Sequence, residues 1–295
     1  MTTTSERAPQ TADRLEQSET LWKSERQLSW TRAGFFLPVQ RVAEILRYRG
    51  LLWNLVLKDF EIRYTGSVLG VLWTQLYPLL QLIVYGFVFT VIFHNSMEDY
   101  PLFLFIGIII WTFFSTSLLT SASSLLANIG LITKVYFPRE LAPLSAVIVA
   151  FVDLTLSHLV LFAACLYYGS YPTFAWLLAP AILILLGLFS AGCGLILSVA
   201  TVYFHDVKYF LEVSLLLLFF LTPVVYPPEA VPPPAGYILA ANPVATILTM
   251  YRGILINGTV PTTGMWLHML VADLVVWIVG LHVFYRAQRG VSEVL

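Results

Sequence analysis

Between Leu51 and Pro78 the chain passes from mixed charged and apolar residues into a long run that carries no charge. At helical spacing Trp53, Val56, Leu57, Phe60 and Tyr64 share one face while Asn54, Lys58, Glu61 and Thr65 share the other, which predicts an amphipathic helix at a membrane interface. Asp59 and Arg63, four apart with the acid first, would add support within that helix. Gly66 and Ser67 predict a bend. Apolar runs of the length needed to cross a bilayer, about 20 residues, then occupy 69–93, 102–126, 141–168, 174–202, 208–226 and 265–285. The expected architecture is therefore an all-α integral membrane fold with six spans. A shorter apolar stretch, 244–256, follows the proline-rich run PPEAVPPP and reads as a re-entrant or interfacial helix at the outer mouth. Asn242-Pro243 suits its start and Asn257-Gly258 its end.

Upstream, Pro38 could open a second interfacial helix, with Val39, Val42, Ile45 and Leu46 on one face, Arg41, Arg47 and Arg49 toward lipid headgroups, and Gly50 ending it. A mobile tail is the competing reading for 21–37. Residues 1–20 are polar and aromatic-poor, which predicts disorder, and they contain no apolar core of the kind a signal peptide needs. The expected division is thus a tail at 1–37, interfacial helices at 38–66, a transmembrane domain at 67–286 and a second tail at 287–295.

Composition agrees with the pattern. Hydrophobic residues make up 58% of 295 and charged residues 11%, against about 25% charged in soluble proteins. A soluble globular protein is excluded, and the net charge of -1, with its few cations segregated along the chain, gives no basic patch for nucleic acid. Lys and Arg accumulate on the cytoplasmic side of membrane proteins. With the N-terminus inside and six spans, 15 of the 16 Lys and Arg lie on inside segments and only Arg252 lies outside. Both termini are expected in the cytoplasm. Cys165 and Cys193 fall in consecutive apolar runs at opposite depths, too far apart for a disulfide.

Along the first span Ser67, Gly70, Thr74, Tyr77, Gln81 and Tyr85 form one polar and aromatic stripe. Lipid does not reward such a stripe, whereas a polar pathway or a helix contact does. Trp73 lies beside it, and Trp111 and Ser115 give the second span a similar character. Rings with hydroxyls can hold sugars, and a helix interface explains the same residues. Two inside connections mix aromatic and charged residues: Lys134, Val135, Tyr136, Phe137, Pro138, Arg139 and Glu140 in one, Tyr203, Phe204, His205 and Asp206 in the other. That mixture suits a protein partner in the cytoplasm better than a lipid surface. Asp153 and Asp273 are intramembrane acids with no basic neighbour in their own spans except His158 and His268, which points to structural hydrogen bonding, with a proton relay as the alternative. The sequence has no Walker A loop, HExxH, CxxC or nucleophile elbow. If transport uses ATP, another chain must bind it.

The segments RYTGSVLGVLW (63–73) with Pro78, KVYFPRE (134–140), HDV (205–207), TPVVYPPEAVP (222–232) and ANP (241–243), in that order, resemble the membrane subunit of ABC-2 type polysaccharide exporters, the Wzm-like O-antigen permeases and their teichoic-acid and capsule relatives. The resemblance covers about 40–290; His205-Asp206 departs from the family's frequent Arg-Asp. It implies a homodimer in the bacterial inner membrane, working with two copies of a separate ATPase that bind ATP and Mg, and exporting a lipid-linked polysaccharide. It also implies that 128–140, with His205 and Asp206, docks the ATPase, and that Lys58, Asp59, Arg63 and Tyr64 flank the inner entrance. The path is then formed by Trp73, Thr74, Tyr77, Gln81, Tyr85, Trp111 and Ser115, and Pro234, Asn242, Pro243, Tyr251 and Arg252 belong to an outer gate. The nearer alternative is an ABC-2 exporter of drugs or lipids. A different class, a lipid-linked glycosyltransferase, would use acids such as Glu98 and Asp99 in the first outer loop.

Overall fold

The computed structural model describes residues 47–92, 99–132 and 138–294, with Ile45 and Met97, and only the backbone at 234, 235 and 288–294. Residues 1–44, which include the expected tail and the start of the second interfacial helix, lie outside the described residues, as do Glu98 and Lys134–Phe137. Tyr48–Leu295 forms one compact unit. Every regular element among the described residues is helical: α1 (Arg49–Tyr64), α2 (Trp73–Phe87), α3 (Tyr100–Ala127), α4 (Leu141–Tyr167), α5 (Ala179–Tyr203), α6 (Val207–Leu221), α7 (Pro233–Ala241), α8 (Pro243–Leu255) and α9 (Thr263–Val294).

Gly66 and Gly70, both at positive φ, make the bend between α1 and α2, which the sequence predicts at Gly66 and Ser67. From there the chain enters α3, an apolar helix buried along most of its length. It is the hub against which α2, α4, α5, α6 and α8 pack. The tightest seam joins α5 to α9. A Cβ on Gly280 would lie 2.7 Å from the Gly192 carbonyl oxygen, and one on Gly192 would lie 2.6 Å from Val276 Cγ1. Between apolar helices in lipid, close backbone approach of this kind is the main source of association. Gly280→Ala is therefore expected to cost about 1–3 kcal/mol by overpacking, read as a lowered melting temperature of the purified protein; an unchanged melt would show that the seam is looser than its geometry.

Five helical segments are long and apolar enough to cross a membrane: Gly70–Ile92, Tyr100–Ala127, Leu141–Tyr167, Phe174–Tyr203 and Thr263–Ala287. They match five of the expected runs. The run 208–226 differs, because α6 stops at Leu221 after 15 residues and Thr222 turns extended. At 1.5 Å per residue α6 covers about 22 Å, short of the roughly 30 Å of bilayer hydrocarbon. Pro223 follows the stop and disfavours helix at Thr222. Thr222–Val225 are buried in the protein, the circumstance in which irregular backbone is tolerated at membrane depth. The last helix also differs from expectation, continuing to Val294 through the region predicted as a tail.

Candidate functional site: a cavity beside α1

α1 packs on α4 through Leu55, Val56, Asp59 and Arg63, a face turned partway from the predicted apolar one, while Asn54, Glu61 and Thr65 of the predicted polar face are exposed. Leu55 and Val56 are buried, whereas Trp53, Leu57 and Ile62 are exposed. The expected Asp59–Arg63 pair gives way to longer-range partners. Lys58 donates to Asn128 Oδ1 and pairs with Asp59 at 3.1 Å, and Ser145 Oγ donates to Asp59 at 3.1 Å. One turn on, Arg63 forms an ion pair with Asp153, and Tyr64 OH donates to the other carboxylate oxygen at 2.9 Å. Burial, and then the nearby Asp153 charge, push the Tyr64 phenol up to about 12, so it keeps its proton for that bond.

The reason for that turn is depth. Asp153 lies about 18 Å along α4 from Leu141, where lipid offers no counter-charge, while the apolar side of α1 loses little by facing lipid. Asp153 thus has a basic partner after all, supplied from ninety residues upstream. His158 instead accepts from Tyr251 of α8 while donating to the Leu154 carbonyl, and His268 bonds Thr246 at 2.9 Å. Asp273 is buried and neither carboxylate oxygen has a hydrogen-bond partner among the described residues, unlike the structural bonding expected for it.

Beside the Arg63–Asp153 pair is a cavity of about 320 Å³ whose lining joins Arg63, Tyr64, Trp73, Thr74, Tyr77, Thr112, Thr116, Asp153 and Ser157 to the apolar Pro78, Ile109, Phe113, Ala150 and Leu154. It brings the entrance residues Arg63 and Tyr64 together with Trp73, Thr74 and Tyr77 of the predicted path. Gln75 donates to Ser157 at 3.2 Å, extending the polar stripe of α4 past Asp153. The rest of the predicted path is elsewhere. Gln81 donates to Tyr77 at 3.3 Å. Tyr85 and Trp111 both pack on Phe219 of α6, with ring centroids 5.6 Å apart in each case, so they serve the helix-contact reading. Ser115 donates to the Thr112 carbonyl. The signal that would have found the cavity is the i, i+4 recurrence of Asp153 and Ser157, two turns on from Ser145, on one face of α4.

At the inner ends, His205 and Asp206 are exposed in the turn between α5 and α6, flanked by exposed Phe204, Tyr209 and Phe210. Pro138 and Arg139 are half-buried, but Glu140 is buried and accepts from Tyr285 of α9. Asn128 is likewise turned inward, bonded to the Ser124 carbonyl and to Lys58. At the other end Asn242 caps α8 as predicted, its side chain accepting from Val244 N at 3.0 Å and donating to Thr222 at 2.9 Å. Arg252, assigned to a gate from the sequence, is a buried clamp. It donates to the carbonyls of Phe103 (3.1 Å), Pro223 (2.6 Å) and Val224 (2.7 Å), and its guanidinium carbon sits 3.4 Å above the Phe103 ring.

Residues 50–256, from α1 through α8, match the family described as ABC-2 type transporter. An O-antigen export system permease protein RfbA of Myxococcus xanthus is 34% identical over 225 residues, 76% of this chain and 86% of that protein. One of the same name from Klebsiella pneumoniae is 30% identical over 81% of this chain and 92% of its own length. A polysialic acid transport protein KpsM of Escherichia coli is 26% identical over 80% and 92%. With its helical membrane architecture and a match that includes the whole cavity, the chain belongs to the ABC-2 type transporter family.

Proposed function

We propose that this chain is the membrane permease subunit of an ATP-driven exporter that carries a lipid-linked polysaccharide from the cytoplasmic to the outer side of a bacterial inner membrane. The observation that carries the reading is the cavity. Its ionic, hydroxyl and aromatic groups sit at membrane depth, where a purely lipidic environment would leave them costly, and relatives aligned over most of the chain are named for O-antigen and polysialic acid export. Two copies of the chain form the pathway with both termini in the cytoplasm. α6 and the extended Thr222–Tyr226 segment together make the remaining crossing, and α7 and α8 close the outer end.

A separate ATPase, also in two copies, binds ATP and Mg and docks at Lys134–Arg139 and at His205-Asp206 with their exposed aromatic neighbours. Deleting the chain should leave glycan inside the cell and strip it from the surface; unchanged surface glycan on blotting overturns the reading. Phe137→Ala with Arg139→Ala should reduce co-purification of the ATPase several-fold, and intact co-purification together with normal export would place docking elsewhere.

A further inference from the structure

The cavity beside α1 has a chemistry that distinguishes among the parts of a lipid-linked glycan. We propose that it is a binding subsite for one uncharged pyranose ring of the exported polymer, with Asp153 as the residue that sets its preference against anionic groups; the proposal rests on the export reading above. About 320 Å³ equals roughly ten waters at about 30 Å³ each. That is room for a sugar ring.

Three occupants can be weighed. A hydrocarbon chain would satisfy the exposed faces of Trp73 and Tyr77 and the apolar lining residues Ile109, Phe113 and Leu154, but would desolvate the Arg63–Asp153 pair and leave its remaining donors and acceptors unfilled. A phosphate would meet Arg63, yet the carboxylate already paired with that guanidinium would stand directly beside it, and like charges at that range repel. A neutral pyranose meets neither objection. A carboxylate has about four acceptor sites, of which Arg63 and Tyr64 occupy two, leaving about two for sugar hydroxyls. Arg63 has further N–H donors for sugar oxygens. Trp73 and Tyr77, more than half exposed at the cavity, offer faces on which the C–H side of a ring can lie. The ion pair therefore both holds α1 and leaves the site with no net charge to attract a phosphate.

The test uses the full chain co-purified with its ATPase in nanodiscs and saturation-transfer NMR. The uncharged probes are the methyl glycosides of glucose, galactose and rhamnose; the anionic probes are methyl glucuronide and glycerol phosphate. At least one uncharged probe should receive saturation, and the anionic probes none above background. Trp73→Ala should weaken uncharged binding about fivefold, equivalent to ~1 kcal/mol. Asp153→Asn should admit the anionic probes. The subsite is overturned if no uncharged probe binds, if an anionic probe binds the unaltered protein as well as an uncharged one, or if Trp73→Ala changes nothing. Trp73 takes no part in the ion pair, so it decides the matter even where Asp153→Asn fails to fold. Surface glycan is scored in parallel: export that depends on the chain without probe binding sinks the subsite alone, whereas export that survives deletion of the chain sinks the function.

Discussion

Arg252→Met leaves little folded protein in detergent extracts, and what remains melts well below the unaltered chain. The side chain is 95% shielded from solvent, and its three acceptors belong to two different parts of the chain, the first turn of α3 and the extended break after α6. Pro223 and Val224 have left the helix, so their carbonyls have no helical donors of their own, and bilayer hydrocarbon supplies none. A guanidinium fork is the side chain that can serve several carbonyls at once. Methionine fills similar space but leaves those oxygens buried and unpaired, at about 1–3 kcal/mol for each unsatisfied group. The total is on the order of 3–5 kcal/mol, in the exceptional range for a single change. Lysine, a compact point charge, should recover only part of the loss. An independent approach reaches the same contact: a Cβ on Gly107 would stand 2.7 Å from the Val224 oxygen and against the Arg252 guanidinium, so Gly107→Ala should also lower the melting temperature. Arg252→Met with an unaltered melt would mean that the break after α6 is held by something else, such as the Tyr100 hydroxyl on the Val225 carbonyl at 2.8 Å.

The clamp also marks where sequence reading stops. Runs such as 102–126 and 141–168 gave helices within a few residues of their bounds, because a long uncharged apolar segment has few alternatives in lipid. The Asn242 cap was legible because its partners are two and three residues away. The run 208–226 misled because hydropathy cannot distinguish apolar residues that face lipid from those that line an irregular stretch inside protein. The clamp role of Arg252 was hidden for the same reason: its acceptors are backbone oxygens 28, 29 and 149 residues away, and backbone oxygens leave no trace in side-chain pattern. In the cavity, Tyr77 and Thr74 could be picked from a stripe on one helix, but their association with Arg63 and Asp153 is a product of packing. The same packing brings Asp59 and Arg63 of α1 inward beside Leu55 and Val56, because their polar partners Ser145 and Asp153 lie on α4.

If α1 is held chiefly by polar ties to α3 and α4, removing either end of the deepest tie should release it. Asp153→Ala strands Arg63, and Arg63→Ala strands Asp153. For a fully buried pair such loss costs about 3–5 kcal/mol; here the side chains are 28% and 18% exposed, and solvent or headgroups can take up part of the charge, so about 2–3 kcal/mol is expected for each single change. In a protein of this size that corresponds to a fall of roughly 5 °C in melting temperature. Hydrogen exchange should rise in 58–64 while α3 stays protected, because the core of α3 does not depend on the tie. The double change Arg63→Met with Asp153→Leu should be closer to the unaltered protein than either single change, since no charge is then stranded. Additive losses, or exchange that rises equally in α3, would show that Asp153 supports the bundle as a whole and that α1 is fixed by Leu55, Val56 and the Lys58–Asn128 and Ser145–Asp59 bonds instead.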